Sequence, residues 1–187
     1  MLDTAFTKEL RMSEARWDKF LFKEALEAMP EWGPIVEIGA IRDIRPVAAR
    51  SDGHSTVKWA ESGRDVICID IEARAIATAK SLVGERSNVN FICADAFEYL
   101  EKMDYREKGP FGLLYLDGPH PSKEDGVQFA LDCFKVCENH MAVGSIVLID
   151  DCDVSPGKGD LVIPYALKHG YAMHMEGLRQ TILKKVA

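Results

Sequence analysis

No stretch of this 187-residue chain is apolar for long enough to cross a bilayer. The longest apolar runs, 111–116 and 146–149, fall far short of the roughly 20 residues a spanning helix needs. The opening residues, Met1-Leu2-Asp3-Thr4-Ala5, lack the basic and apolar regions of a secretory leader, so a cytoplasmic protein without a membrane partner is expected. Positive charge is short: Lys+Arg 23 against Asp+Glu 30 gives a formal net charge of −7, which argues against a nucleic-acid partner bound through a basic face. Cysteine is sparse and unpatterned. The five thiols (Cys68, Cys93, Cys133, Cys137, Cys152) form no Cys-x-x-Cys pair, so neither a disulfide framework nor a zinc site is expected. Cys68 and Cys93, inside apolar runs, read as small core residues. An uninterrupted Gly-x-Gly-x-x-Gly is also missing.

Hydrophobic residues make up 47% of the chain and charged residues 28%, the balance of a folded domain rather than a disordered one. The length suits one domain over 1–187, divided into an N-terminal helical segment, 1–33, and a core, 34–187. Ser13 and Glu14 open a helix whose apolar residues Trp17, Phe20, Leu21, Ala25, Ala28 and Met29 recur at three- and four-residue spacing, and Pro30 and Gly33-Pro34 end it. Short apolar runs at 35–39, 65–70, 89–95, 112–117 and 145–151 then alternate with helical patterns at 54–62, 73–83, 97–103 and 124–138. That alternation predicts an α/β fold with a parallel sheet covered on both faces. Residues 170–176 and 180–186, separated by Gly177-Leu178-Arg179, read as a closing antiparallel hairpin.

All five runs carry an acid at or just before their end: Glu37, Asp70, Asp95, Asp117, and the pair Asp150-Asp151. In doubly wound sheets the carboxyl edge of the strands is where ligands bind, so acids at all five strand ends point to a site. Asp70, ending the second strand, is placed to accept hydrogen bonds from both hydroxyls of an adenosine ribose, and Asp95 to accept from an adenine amino group. Gly39 and Gly53 suit a loop that lets the backbone approach a ligand. Gly53-His54-Ser55-Thr56 would open a helix whose free N–H groups favour a carboxylate.

Taken together these residues resemble the class I S-adenosylmethionine-dependent methyltransferases. Val36-Glu37-Ile38-Gly39 is similar to their first motif, Asp70 to their ribose-binding acid, and Ala94-Asp95-Ala96 to the motif beside adenine. The resemblance implies a Rossmann-like seven-stranded sheet of order 3-2-1-4-5-7-6 with an antiparallel last strand. It also implies cofactor binding by Glu37, Gly39, Gly53, Ser55, Asp70, Asp95 and Ala96. Leu116-Asp117-Gly118-Pro119-His120 and Leu148-Ile149-Asp150-Asp151 narrow it to the metal-dependent small-molecule O-methyltransferases, which are catechol-O-methyltransferase-like or modify sugars and macrolides. By that resemblance Asp117, Asp150 and Asp151 hold a divalent cation, magnesium by its oxygen ligands, and the acceptor is a small hydroxylated molecule.

Three converging carboxylates would repel one another, and neither strand-end motif contains a lysine or arginine to relieve them. His120, three positions after Asp117 and held between Pro119 and Pro121, is expected to overhang the metal as the general base. The insertion 40–52, with Arg42, Arg45 and Arg50, is expected either to line the substrate entrance or to be a solvated loop. An NAD-dependent oxidoreductase and a non-catalytic nucleoside-binding module on the same fold remain open alternatives. The sequence leaves the oligomeric state undecided and is compatible with a homo-oligomer.

Overall fold

A computed structural model describes residues 20–45, 54–104, 109–120, 122–123 and 125–187. Its elements run α1 (Phe22–Ala28), β1 (Ile35–Ile38), α2 (Ser55–Glu61), β2 (Val66–Asp70), α3 (Ala73–Val83), β3 (Val89–Cys93), α4 (Ala96–Lys102), β4 (Phe111–Leu116), α5 (Gly126–Glu138), β5 (Met141–Ile149), α6 (Gly159–Lys168), β6 (Tyr171–Glu176) and β7 (Thr181–Lys185). The seven strands form one sheet of order β3-β2-β1-β4-β5-β7-β6, the order the resemblance implied. The first five are parallel, and β7 runs antiparallel between β5 and β6.

Residue alternation along the strands divides the core in two. Ile35, Leu113, Tyr115, Ile146 and Leu148 face one side, where they pack with Phe22, Trp59 and Ala79 from α1–α3. Val36, Ile38, Leu114, Leu116, Val147 and Ile149 face the other, against Leu100, Phe134 and Val162 from α4–α6. Phe22, Trp59 and Tyr115 lock the first side with edge-to-face ring contacts at 5.1–5.7 Å.

Some elements differ from the sequence reading. Helix α6 was not expected, because Gly159 at its start and Pro164 inside it look like breakers. Strand β5 begins at Met141, ahead of the expected 145. Gly144, at φ 98°, and a register shift against β4 interrupt the alternation there, and Ser145 Oγ donates to the Phe111 carbonyl at 2.7 Å across the irregularity. Cys93 is exposed rather than part of the core, since β3 lies at the edge of the sheet. Of the helix expected from Ser13, the part before residue 20 lies outside the described residues.

Candidate active site

The carboxyl ends of the central strands finish level. Asp117 N donates to the Ile38 carbonyl at 2.9 Å, Gly39 N to Ile69 at 2.9 Å, Ala94 N to Asp70 at 3.1 Å, and Asp150 N to Leu116 at 3.1 Å. Asp70, Asp95, Asp117 and Asp150 are therefore set along one edge. That edge contains the β1/β4 boundary, where successive crossovers diverge and open a crevice. A cleft of about 220 Å³ lies there, lined by Gly39, Arg42, Asp70, Asp95, Ala96, Pro119 and Phe129 among others. Four of the seven expected cofactor residues thus meet at one cavity.

Each reaches it for a local reason. Asp70 is buried, its Oδ2 accepting from Ala40 N at 2.8 Å and its Oδ1 from Glu72 N at 2.8 Å, so the backbone fixes the carboxylate at the cleft wall. The half-exposed Arg42 guanidinium lies 3.3 Å from the same Oδ2. Asp95 caps α4 through Oδ1, which accepts from Glu98 N at 3.0 Å. Gly39 has φ 96°, and a Cβ there would come within 2.0 Å of the Asp117 carbonyl oxygen. The glycine thus lets β1 turn away beneath the end of β4, as well as leaving its backbone bare beside the cleft.

Two other expected cofactor residues are drawn elsewhere. Glu37 pairs across the sheet with Cys68 and Tyr115, and alternation turns it into the apolar side beneath α2, where it is fully buried. Ser55 Oγ donates to its Oε1 at 2.6 Å, so both side chains contact each other rather than the cleft. Glu37 Oε2 and the Trp59 indole nitrogen are both buried without a hydrogen-bond partner. Burial pushes the Glu37 carboxyl up to about 7, against the opposing pull of the Ser55 hydroxyl. Gly53 lies outside the described residues.

Asp117, Asp150 and Asp151 converge as expected, each offering an oxygen within 4.8 Å of the others'. What the motifs did not reveal is the cations that meet them. Lys158 Nζ lies 2.7 Å from Asp151 Oδ2 and 3.2 Å from Asp117 Oδ1. Arg179 donates to Asp150 at 2.7 Å and to Asp151 at 2.8 Å. Gln180 Nε2 donates to Asp150 Oδ1 at 2.9 Å and to Tyr115 Oη at 3.1 Å, and Tyr115 Oη–H donates to Asp117 Oδ2 at 3.1 Å. Three carboxylates are matched by two cationic side chains and a hydrogen-bond chain. Although Asp150 is buried, Arg179, Lys158 and Gln180 hold its pKa below the usual carboxylate range. Asp117 moves the other way, raised by burial and by Asp150, with Lys158 opposing. Burial works against the Lys158 charge, yet Asp117, Asp151 and Asp150 outweigh it and keep the ammonium protonated. Three hard oxygen donors suit magnesium in kind. As arranged they do not fit one, because Lys158 and Arg179 engage oxygens the ion would need.

The structure does not bring His120 into this cluster. Its ring is exposed, and Nδ1 accepts from Ser122 N at 3.2 Å and pairs with Ser122 Oγ at 2.7 Å. In the 40–52 insertion, Arg45 pairs with Asp43, Arg42 approaches Asp70, and Arg50 lies outside the described residues.

This fold, with a cleft at its switch point flanked by two strand-end acids, defines the Rossmann-like methyltransferase class. A family model for a methyltransferase domain matches residues 48–152, more than half of the chain, and the chain belongs to that family. No functionally curated protein is similar enough in sequence to register as a relative. Among solved structures the fold is similar to the O-methyltransferase NovP, at TM-score 0.66 and 14% identity over 92% of this chain and 80% of that one. It is also similar to the O-methyltransferase TomG from Streptomyces achromogenes, solved with SAM, at TM-score 0.59 and 17% identity over 91% and 79%. A putative rRNA-methylase from Clostridium thermocellum matches at TM-score 0.62 and 12% identity over 88% and 95%.

Proposed function

We propose that this chain is an S-adenosylmethionine-dependent methyltransferase acting on a hydroxyl oxygen of a small molecule. The observation that carries the reading is the shared cleft: Asp70 and Asp95 face one cavity, and Gly118 and Pro119, which follow Asp117 in the chain, form part of its wall. In this reading Asp70 accepts from the ribose hydroxyls, Asp95 accepts from the adenine amino group, and the bare backbone at Gly39 lets the cofactor lie close to β1. Family membership, together with fold neighbours that include two named O-methyltransferases, supports it. Net acidity favours a small acceptor over RNA.

The acceptor hydroxyl oxygen attacks the sulfonium methyl carbon. The carbon–oxygen bond forms as the carbon–sulfur bond breaks, the bonding pair stays on sulfur, and S-adenosylhomocysteine leaves. The hydroxyl proton passes to Asp117. Of the three acids only Asp117 is appreciably open, its side chain 22% exposed against 1% for Asp150 and 7% for Asp151. Its raised pKa makes it the stronger proton acceptor. Tyr115, Gln180 and Arg179 orient the cluster beneath it.

The test is label transfer. Purified protein is incubated with methyl-labelled S-adenosylmethionine and, in parallel, a panel of hydroxylated phenols and sugars, and ribosomal RNA. Label in a small acceptor supports the proposal. Label in RNA alone replaces the substrate class, and binding of NAD instead of S-adenosylhomocysteine rejects the cofactor.

A further inference from the structure

We infer that Lys158 is the resident cation of the acid cluster, standing where a divalent ion would otherwise bridge Asp117 and Asp151. The inference rests on the methyl-transfer reading above, because it assigns how that site orients its proton acceptor. Lysine is seldom fully buried unless it is paired, and Lys158 is 1% exposed. Its ammonium touches two of the three acids, and Arg179 spans Asp150 with Asp151, so each acid has a cationic partner.

The backbone is shaped to deliver this side chain. Lys158 lies between Gly157 and Gly159 at the start of α6. A Cβ on Gly157 would come within 2.7 Å of the Asp151 carbonyl oxygen and 2.8 Å of the Val154 carbonyl oxygen. Gly157 N donates to Asp160 Oδ2 at 3.0 Å, and Asp160 N donates back to the Gly157 carbonyl at 3.0 Å. The loop therefore folds tightly over the ends of β4 and β5 and presents the ammonium from above. Asp151, which pairs with the ammonium, has φ 51°, in the left-handed backbone region.

A tethered ammonium supplies the electrostatic part of what a metal does. It relieves carboxylate repulsion and fixes the Asp117 carboxylate through Oδ1, while Oδ2 is held by Tyr115. It does not offer the open coordination positions through which an ion would bind the acceptor directly. Lys158 is thus a positioning residue, and the site works without a divalent ion because its own chain fills that place.

The experiment is a manganese titration followed by electron paramagnetic resonance on the wild-type protein and on Lys158→Met. The wild type is expected to leave the free Mn²⁺ signal unchanged up to about 1 mM, and Lys158→Met to take up one ion per chain at least about tenfold more tightly. Adding Asp151→Asn to Lys158→Met should abolish that uptake, which places the ion between the two acids that Lys158 bridges. Uptake by the wild type with a Kd below about 100 μM, or no gain in Lys158→Met, overturns the inference. If Lys158→Met does not fold, Lys158→Gln, which keeps length and hydrogen-bonding capacity, replaces it. If neither folds, the wild-type titration decides alone. S-adenosylhomocysteine calorimetry on the same wild-type sample tests the underlying reading separately: failure to bind would reject the methyltransferase assignment and leave the manganese result standing.

Discussion

Replacing Glu37 by glutamine should remove a pH dependence of stability that the buried carboxyl imposes on the wild-type protein. The wild-type side chain is fully buried, one oxygen on Ser55 and the other without a partner, and its pKa is pushed up to about 7 from an ordinary 4.5. The sign follows from proton counts. Between about pH 4.5 and 7 the folded state keeps the Glu37 proton while the unfolded chain releases it, so wild-type stability falls as pH rises through that window and levels off above it. A shift of about 2.5 units at about 1.36 kcal/mol each gives roughly 3 kcal/mol lost across the window. Glutamine keeps the shape and a carbonyl acceptor for Ser55 but has nothing to titrate. Its offset from wild type at pH 4.5 absorbs any misfit of the amide. From there to pH 8 the variant should gain up to about 3 kcal/mol relative to wild type, or about 6–12 °C in Tm for a chain of this size. Urea denaturation and thermal melts across that range measure it. A difference that stays constant within about 1 kcal/mol from pH 4.5 to 8 would refute the claim that Glu37 is held as a protonated buried acid.

Gly39→Ala should destabilise the fold by about 4 kcal/mol or more, since the added methyl meets the Asp117 carbonyl at 2.0 Å and φ 96° is left-handed; a loss below about 1 kcal/mol in urea would contradict that packing. Asp70→Ala should weaken S-adenosylhomocysteine binding at least about tenfold by calorimetry, whereas Arg42→Ala, at a half-exposed side chain, should change it less than about threefold. Asp70→Ala should also lower stability by about 1–3 kcal/mol, because Ala40 N and Glu72 N lose their acceptor. With an acceptor from the label-transfer panel, Asp117→Asn should cut turnover at least about 100-fold and His120→Ala less than about tenfold; the reverse order would return the base to His120.

The sheet was legible because its signal is local and repeated: apolar runs ending in acids, separated by helical patterns, closed by a hairpin. Strand order came from resemblance to a family, since pairing partners far apart in sequence leave no local mark. Asp70 and Asp95 were legible as cleft residues because a strand end fixes both position and direction. Glu37 was not, as its role depends on which face of β1 it occupies and on Cys68 and Tyr115 of the neighbouring strands. The acid triad could be read from two strand ends, but its charge balance could not. Lys158 arrives from a Ser-Pro-Gly-Lys-Gly loop seven residues beyond Asp151, and Arg179 from a hairpin turn read only as a turn. A lysine between two glycines shortly after an acid-ended strand was the available signal.

A crystal structure of the protein grown with S-adenosylhomocysteine measures directly where the cofactor lies. It should show the ribose hydroxyls on the Asp70 carboxylate, the adenine beside Asp95 and Ala96, and the homocysteine sulfur directed toward Asp117. Nucleoside density elsewhere on the molecule, or a cleft that remains empty at saturating ligand, would contradict it.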